Sequence, residues 1–135
     1  MSKHRLCLQC DDGTALTHCA RDMDFTYKGR TLSVKAVRGW HCPVCADCVF
    51  DVREGQRYSA EIDAFAAQMD AIEAAEVRLA RKRLGLSQAE AGRLFGGGVN
   101  AFSEYERGKT QAHRSTVLLL KLLSRHPDLL AELQA

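Results

Sequence analysis

All six cysteines of this 135-residue chain fall within its first 48 positions. Four of them form Cys7-x-x-Cys10 and Cys42-x-x-Cys45, two pairs in which a tight turn sets both thiols on one side. Two such turns brought together make a tetrahedral four-thiolate site, a geometry that zinc satisfies without redox chemistry. The 31 residues between the pairs must therefore leave and return to one point. Their pattern is that of a hairpin over Met23 to Val37: Phe25-Thr-Tyr27, a turn at Lys28-Gly29-Arg30, then Thr31 to Val37. In the second arm Leu32, Val34 and Ala36 fall on one face and Ser33 and Lys35 on the other, which is strand alternation. Leu6 to Gly13 forms a tight turn around the first pair, and Cys48 to Val52 is expected as a short closing strand.

Cys45-x-x-Cys48 is also a CxxC pair and competes for the ligand choice. Cys42 is preferred, because Pro43 helps set its turn and Cys48 then opens the strand. A redox-active CxxC would favour one pair at a helix start in a βαβ context, not two pairs flanking a hairpin. Cys19 and Cys48 are left as packed thiols, and His41 as a structural neighbour of a ligand. Four thiolates leave no open coordination position, so one structural zinc per chain is expected, stapling a domain whose core is small. No nucleophile–base pair is visible either, so an enzyme is not expected.

After Gly85 the texture changes. Ser87-Gln-Ala-Glu90 is a capping-box pattern that starts a helix, and Leu94-Phe95 ends it at three consecutive glycines, Gly96 to Gly98. Val99 to Arg107 is a short second helix stopped at Gly108. This is the layout of a helix-turn-helix, whose second helix enters the major groove. Leu86, Ala91, Leu94, Val99, Phe102 and Tyr105 would hold the pair together, leaving Asn100, Ala101, Ser103 and Glu104 outward. Asn100 can read adenine through paired hydrogen bonds. Gln88, just inside the first helix, is placed for a phosphate, as are Arg107 and Lys109. Ser115 to Ser124 is a third helix, apolar nearly all round and so expected to be enclosed by protein. Pro127 sits at a helix N1 position, and Asp128 to Leu133 completes a last short helix.

Between the two halves, Ser59 is a candidate N-cap before helix-spaced Ile62, Phe65, Met69 and Ile72. Counting elements places a boundary near residue 70. The expected architecture is α+β: residues 1–70 form a small zinc-ribbon-like domain of β-hairpin plus helix, and residues 71–135 an all-α helix-turn-helix domain of the Xre/Cro-like type.

With 46% hydrophobic and 27% charged residues, the chain is a globular protein rather than a disordered one. No apolar run reaches the roughly 20 residues of a membrane helix, and the first ten residues carry no secretory signal. A cytoplasmic location without membrane attachment is therefore expected, and its reducing conditions argue against disulfides. A net charge of +2 is too small to point to a partner. The local run Arg78, Arg81, Lys82, Arg83 has no acid between its members, and can be either a solvated helix face or a phosphate contact.

The stretch LSQAEAGRLFGGGVNAFSEYERGKTQAH, together with the paired CxxC turns, resembles the MqsA (YgiT-type) antitoxins, with Phe95-Gly-Gly-Gly-Val-Asn-Ala-Phe102 its most specific part. The resemblance covers nearly the whole chain. It implies a type II antitoxin whose zinc domain holds an RNase toxin of the MqsR type. It also implies a C-terminal domain that forms the homodimer and represses the toxin–antitoxin operon at a palindromic operator. The family's zinc cysteines map onto Cys7, Cys10, Cys42 and Cys45, and its base-reading asparagine onto Asn100. Two positions depart from the pattern. Glu104 stands where a second base-reading residue is arginine, so it can accept from cytosine or repel phosphate, but cannot donate to guanine. Ala71 to Leu84 contains no proline where the family's interdomain segment has one, which implies a stiffer hinge or a continuous helix. The competing assignment is a stand-alone zinc-containing helix-turn-helix regulator with a sensing N-terminal domain.

Overall fold

The computed structural model describes residues 4–135, which divide into two compact units, residues 4–67 and Gln68–Ala135. In the first unit a three-stranded antiparallel sheet has the order β1 (Thr17–Tyr27), β2 (Arg30–His41), β3 (Cys48–Phe50). The hairpin is longer than the sequence pattern predicts, running from Thr17 paired with His41 to Tyr27 paired with Arg30. Its turn is at Lys28-Gly29, both in the left-handed region at φ 50° and 79°. Gly29 supplies that conformation at no steric cost.

Strand alternation fails at one place. Arg21 pairs with Val37 but Met23 with Val34, so Lys35 and Ala36 on β2 oppose Asp22 alone on β1. This bulge turns Ala36 out to solvent and puts Val34 and Val37, rather than Ala36, on the buried face. Ala36 sits at φ 51°. Polar groups on both sides hold it there: Asp22 accepts from the Ala36 N–H at 2.8 Å and from Lys35 Nζ at 3.3 Å, while Arg57 donates to the Lys35 and Ala36 carbonyls at 3.1 and 3.2 Å. The Ala36 amide, then Lys35, holds the Asp22 carboxyl below the usual carboxylate range.

Helix α1 (Glu54–Arg83) has 30 residues and starts five residues before the candidate cap Ser59, which is an exposed interior position. Its true anchor is Glu54, which accepts from the Arg38 N–H at 2.8 Å and from Arg57 at 3.0 Å. The absence of proline and glycine from Ser59 to Leu84 allows one helix to serve both units. The boundary expected at residue 70 lies inside it.

In the second unit the C-terminal part of α1 is followed by α2 (Gln88–Phe95), α3 (Ala101–Glu106), α4 (Arg114–Arg125), a 3-10 turn (Pro127–Leu129) and α5 (Leu130–Gln134). The capping box forms in full: the Glu90 N–H donates to Ser87 Oγ at 3.1 Å, and the Ser87 N–H to the Glu90 carboxylate at 3.0 Å. The core joins Val77 and Ala80 of α1 to Leu86, Ala91, Ala101, Phe102, Val117 and Leu120, with Leu94, Phe95 and Tyr105 against it. Val99, expected between the helices, is instead 48% exposed. Helix α4 is not enclosed as expected: Leu118 and Leu122, one turn apart, are about half exposed. Its buried stripe is only Val117, Leu120 and Leu123.

Candidate functional site

In the first unit the two CxxC turns meet. The Cys7 and Cys45 sulfurs are 3.4 Å apart and those of Cys10 and Cys42 3.8 Å, and all four lie within 4.8 Å of one another. A tetrahedron with metal–sulfur bonds of about 2.3 Å has sulfur–sulfur edges of about 3.8 Å, so these thiols fit a tetrahedral S4 ion. No disulfide links them. Local turns bring each pair together and aim backbone donors at the sulfurs: Cys10 N–H at Cys7, and the Val44 and Cys45 N–H groups at Cys42, each at 3.4 Å. The Cys45 amide, against burial and aided by the Val44 amide, holds the Cys42 thiol down to about 7. The hydrogen bond from Cys45, then burial, pushes the Cys10 thiol upward.

Leu16 and Trp40 pack on the cluster, with Arg5 over the Trp40 ring at 5.1 Å. Cys48 stands outside the four. It lies on β3 with its sulfur 3.7 Å from His41 Nε2, and burial raises its thiol. His41 is buried and its Nε2 lies 2.8 Å from the Val37 carbonyl oxygen, so it braces the strand rather than the cluster.

In the second unit α2 and α3 meet in a helix-turn-helix. Gly96, Gly97 and Gly98 all take positive φ, at 97°, 91° and 89°, which lets so short a link reverse the chain. Gly92 makes the close crossing possible, because a Cβ there would collide with the Gly98 carbonyl.

The structure distributes the six expected DNA residues unevenly. Asn100 is exposed at the N-cap position of α3 and its side chain makes no cap bond, so its amide faces outward. Arg107 and Lys109 are exposed and Ser103 half-buried. Glu104 is one-third exposed and lies 3.7 Å from Lys109 Nζ. Gln88 differs from expectation: its amide donates inward to Glu106 Oε2 at 3.3 Å. Ala101, expected outward, is buried in the core.

Sequence reasoning missed the polar pair beneath this surface. Arg81 leaves the basic run, buries itself, and donates to Glu106 at 2.8 and 3.0 Å and to the Leu86 carbonyl at 2.8 Å. The pair is nearly dry, with side chains 10% and 4% exposed. A signal was present: Phe102, Tyr105 and Glu106 share i, i+3, i+4 spacing, which puts Glu106 on the inward stripe.

A four-thiol cluster able to hold a metal, joined in one chain to a helix-turn-helix, defines a class of two-module protein. Residues 5–134 match the family described as MqsA, the antitoxin component of a bacterial toxin–antitoxin system. The antitoxin MqsA of Escherichia coli K12 is 38% identical over 130 residues, covering 95% of this chain and 98% of that protein. The chain belongs to the MqsA antitoxin family. The solved N-terminal domain of the E. coli MqsA protein is similar to half of the chain, at 24% identity and a TM-score of 0.45, over 98% of that domain. Among the described residues no helix is long and apolar enough to cross a membrane.

Proposed function

We propose that the chain is a type II antitoxin that binds and neutralises a cognate RNase toxin of the MqsR type through its first unit, and represses its own operon through its second. Cys7, Cys10, Cys42 and Cys45 hold one structural zinc ion, which fixes the two turns and the sheet between them. Strand β1 is one edge of that sheet, and among the described residues no strand pairs with its outer side, whereas on the other side of β2 strand β3 pairs with one end and Arg57 and Glu54 of α1 bond the remainder. An open edge suits strand addition by a protein partner.

In the second unit α3 enters the major groove, Asn100 reads adenine, and Arg107 and Lys109 meet phosphate, with Ser103 and Glu104 on the same face. Gln88 reaches phosphate only if its amide leaves Glu106. A homodimer built on this unit places two such helices about one DNA turn apart and so selects a palindrome. The exposed Leu118 and Leu122 provide apolar surface for that dimer.

The single observation that carries the assignment is membership of the antitoxin family over residues 5–134. Co-expression with the adjacent open reading frame tests it: the expected result is rescue of growth and co-purification of the two proteins. Failure of both, with tight binding to upstream DNA, would favour the stand-alone regulator. Asn100→Ala should cost about 1–3 kcal/mol at one base pair per half-site, read by competition between the operator and single-base variants.

A further inference from the structure

Helix α1 and the end of α3 enclose a groove of about 570 Å³ in the second unit, and no expected DNA residue except Arg107 lies in it. Its floor is apolar: Ala71, Ala74 and Ala75 come from successive turns of α1 and leave width, and the half-exposed Leu79 lies beyond them. Its rim is basic. Arg78 and Lys82 stand one turn apart on α1, and Arg107 faces them from the end of α3, all three exposed. The acid lining it is Glu106, which is 4% exposed and already committed to Arg81 and Gln88. Burial of Arg81 against Glu106 thus splits the basic run, cancels the groove's one carboxylate, and leaves Arg78 and Lys82 directed at whatever occupies the space.

We propose that this groove is a channel for the DNA sugar-phosphate backbone, with Arg78 and Lys82 as phosphate contacts alongside Arg107. The proposal rests on the DNA-binding reading of α3 and extends the footprint to a helix outside the helix-turn-helix. A helix lying in the major groove is flanked by phosphates of the strands that border it, and those contacts set orientation without reading sequence. Arg107 and Gly108 end α3, so a strand leaving that end of the helix meets the groove next. The positive rim suits a polyanion, and the alanines with Leu79 offer apolar surface to its sugar faces.

The test uses the full-length zinc-loaded protein and two labelled duplexes of equal length, one from its own upstream region and one unrelated. Affinity is measured between about 50 and 200 mM salt for wild type, Arg78→Gln/Lys82→Gln, Arg78→Lys/Lys82→Arg and Asn100→Ala. The double Gln variant should lose affinity by the same factor on both duplexes, and its slope of log K against log salt should flatten by about 1.8 per bound protomer, or about 3.6 for the dimer, at about 0.9 per lost phosphate contact. The charge-preserving variant should keep the wild-type slope. Asn100→Ala should do the opposite of the Gln variant, losing preference at an unchanged slope. An unchanged slope in a normally melting double Gln variant overturns the groove proposal and leaves DNA reading by Asn100 intact. The same unchanged slope with weakened co-purification of the toxin would assign the groove to an acidic protein surface instead. A wild type without salt-dependent DNA binding would overturn the DNA-binding reading and the groove together.

Discussion

Glu106 accepts hydrogen bonds from two side chains at once, and almost none of its surface reaches water. Removing it leaves the Arg81 guanidinium buried with only the Leu86 carbonyl as partner. Breaking a buried pair in this way costs about 3–5 kcal/mol, far more than a surface pair is worth. Glu106→Ala should therefore lower the denaturant midpoint of the helical signal strongly, while Arg81→Met/Glu106→Leu should recover most of the loss. Equal midpoints for Glu106→Ala and wild type would show that the pair is not closed in solution. Glu104 behaves differently because its partner Lys109 is two-thirds exposed. Glu104→Gln should change stability by about 1 kcal/mol or less. It should release Lys109 to phosphate and tighten binding to every duplex alike, with a steeper salt slope. Relaxed preference at one base pair per half-site would instead mean that Glu104 reads cytosine.

The start of α1 and the bulge in β2 work as one element, joined by Glu54 and Arg57. Hydrogen bonds from Arg57, then from the Arg38 amide, hold the Glu54 carboxyl at about 2, against an ordinary 4.5. A depressed carboxyl favours the folded state above its ordinary value, so this contribution is full above pH 4.5 and fades as pH falls towards 2. Glu54→Gln should flatten the pH dependence of stability in that window, read from melting temperatures across it. A comparable argument applies at Gly92. Alanine is the better helix former by about 1 kcal/mol, yet Gly92→Ala should destabilise the second unit, because the added carbon meets the Gly98 backbone and must push α2 and α3 apart. An increase in melting temperature would contradict that crossing. The sequence announces α2 through its capping box and α3 through its glycine turn, since both signals are local. It does not announce the bulge, because Leu32-Ser-Val-Lys-Ala36 reads as alternation, and the adjacent Val37 marks a break whose cause, Asp22 and Arg57, arrives from elsewhere. Nor does it announce the start of α1, where Glu54 is fixed by a strand amide sixteen positions away.

At the scale of the whole molecule, two units of unlike construction share one helix. The four-thiol cluster was legible because two CxxC pairs at fixed spacing leave few alternatives. The division of labour among the basic residues was not, because whether an arginine faces phosphate or a buried carboxylate depends on the tertiary position of Glu106. The second unit has a contiguous apolar core contributed by α1, α2, α3, α4 and Leu86 in the link between α1 and α2. In the first, the cluster of buried residues at the metal end is Cys7, Leu16 and Cys42, with Cys10, Trp40 and Cys45 against it. Its packing there consists largely of the four cysteines themselves. Structural zinc in small finger domains contributes on the order of 10–16 kcal/mol to folding, so a zinc ion on the four thiols would be the main hold on these turns. Chelation should therefore release about one metal equivalent per chain and strip hydrogen-exchange protection from residues 7–52, while α2, α3 and α4 keep theirs. Cys42→Ser should do the same without chelator, and Cys48→Ser should leave both metal and protection in place, because Cys48 lies outside the four sulfurs. Metal loss on replacing Cys48 but not Cys42 would reassign the fourth ligand. Loss of protection in α2, α3 and α4 on chelation would show that the second unit also depends on the ion, and that its own core does not suffice.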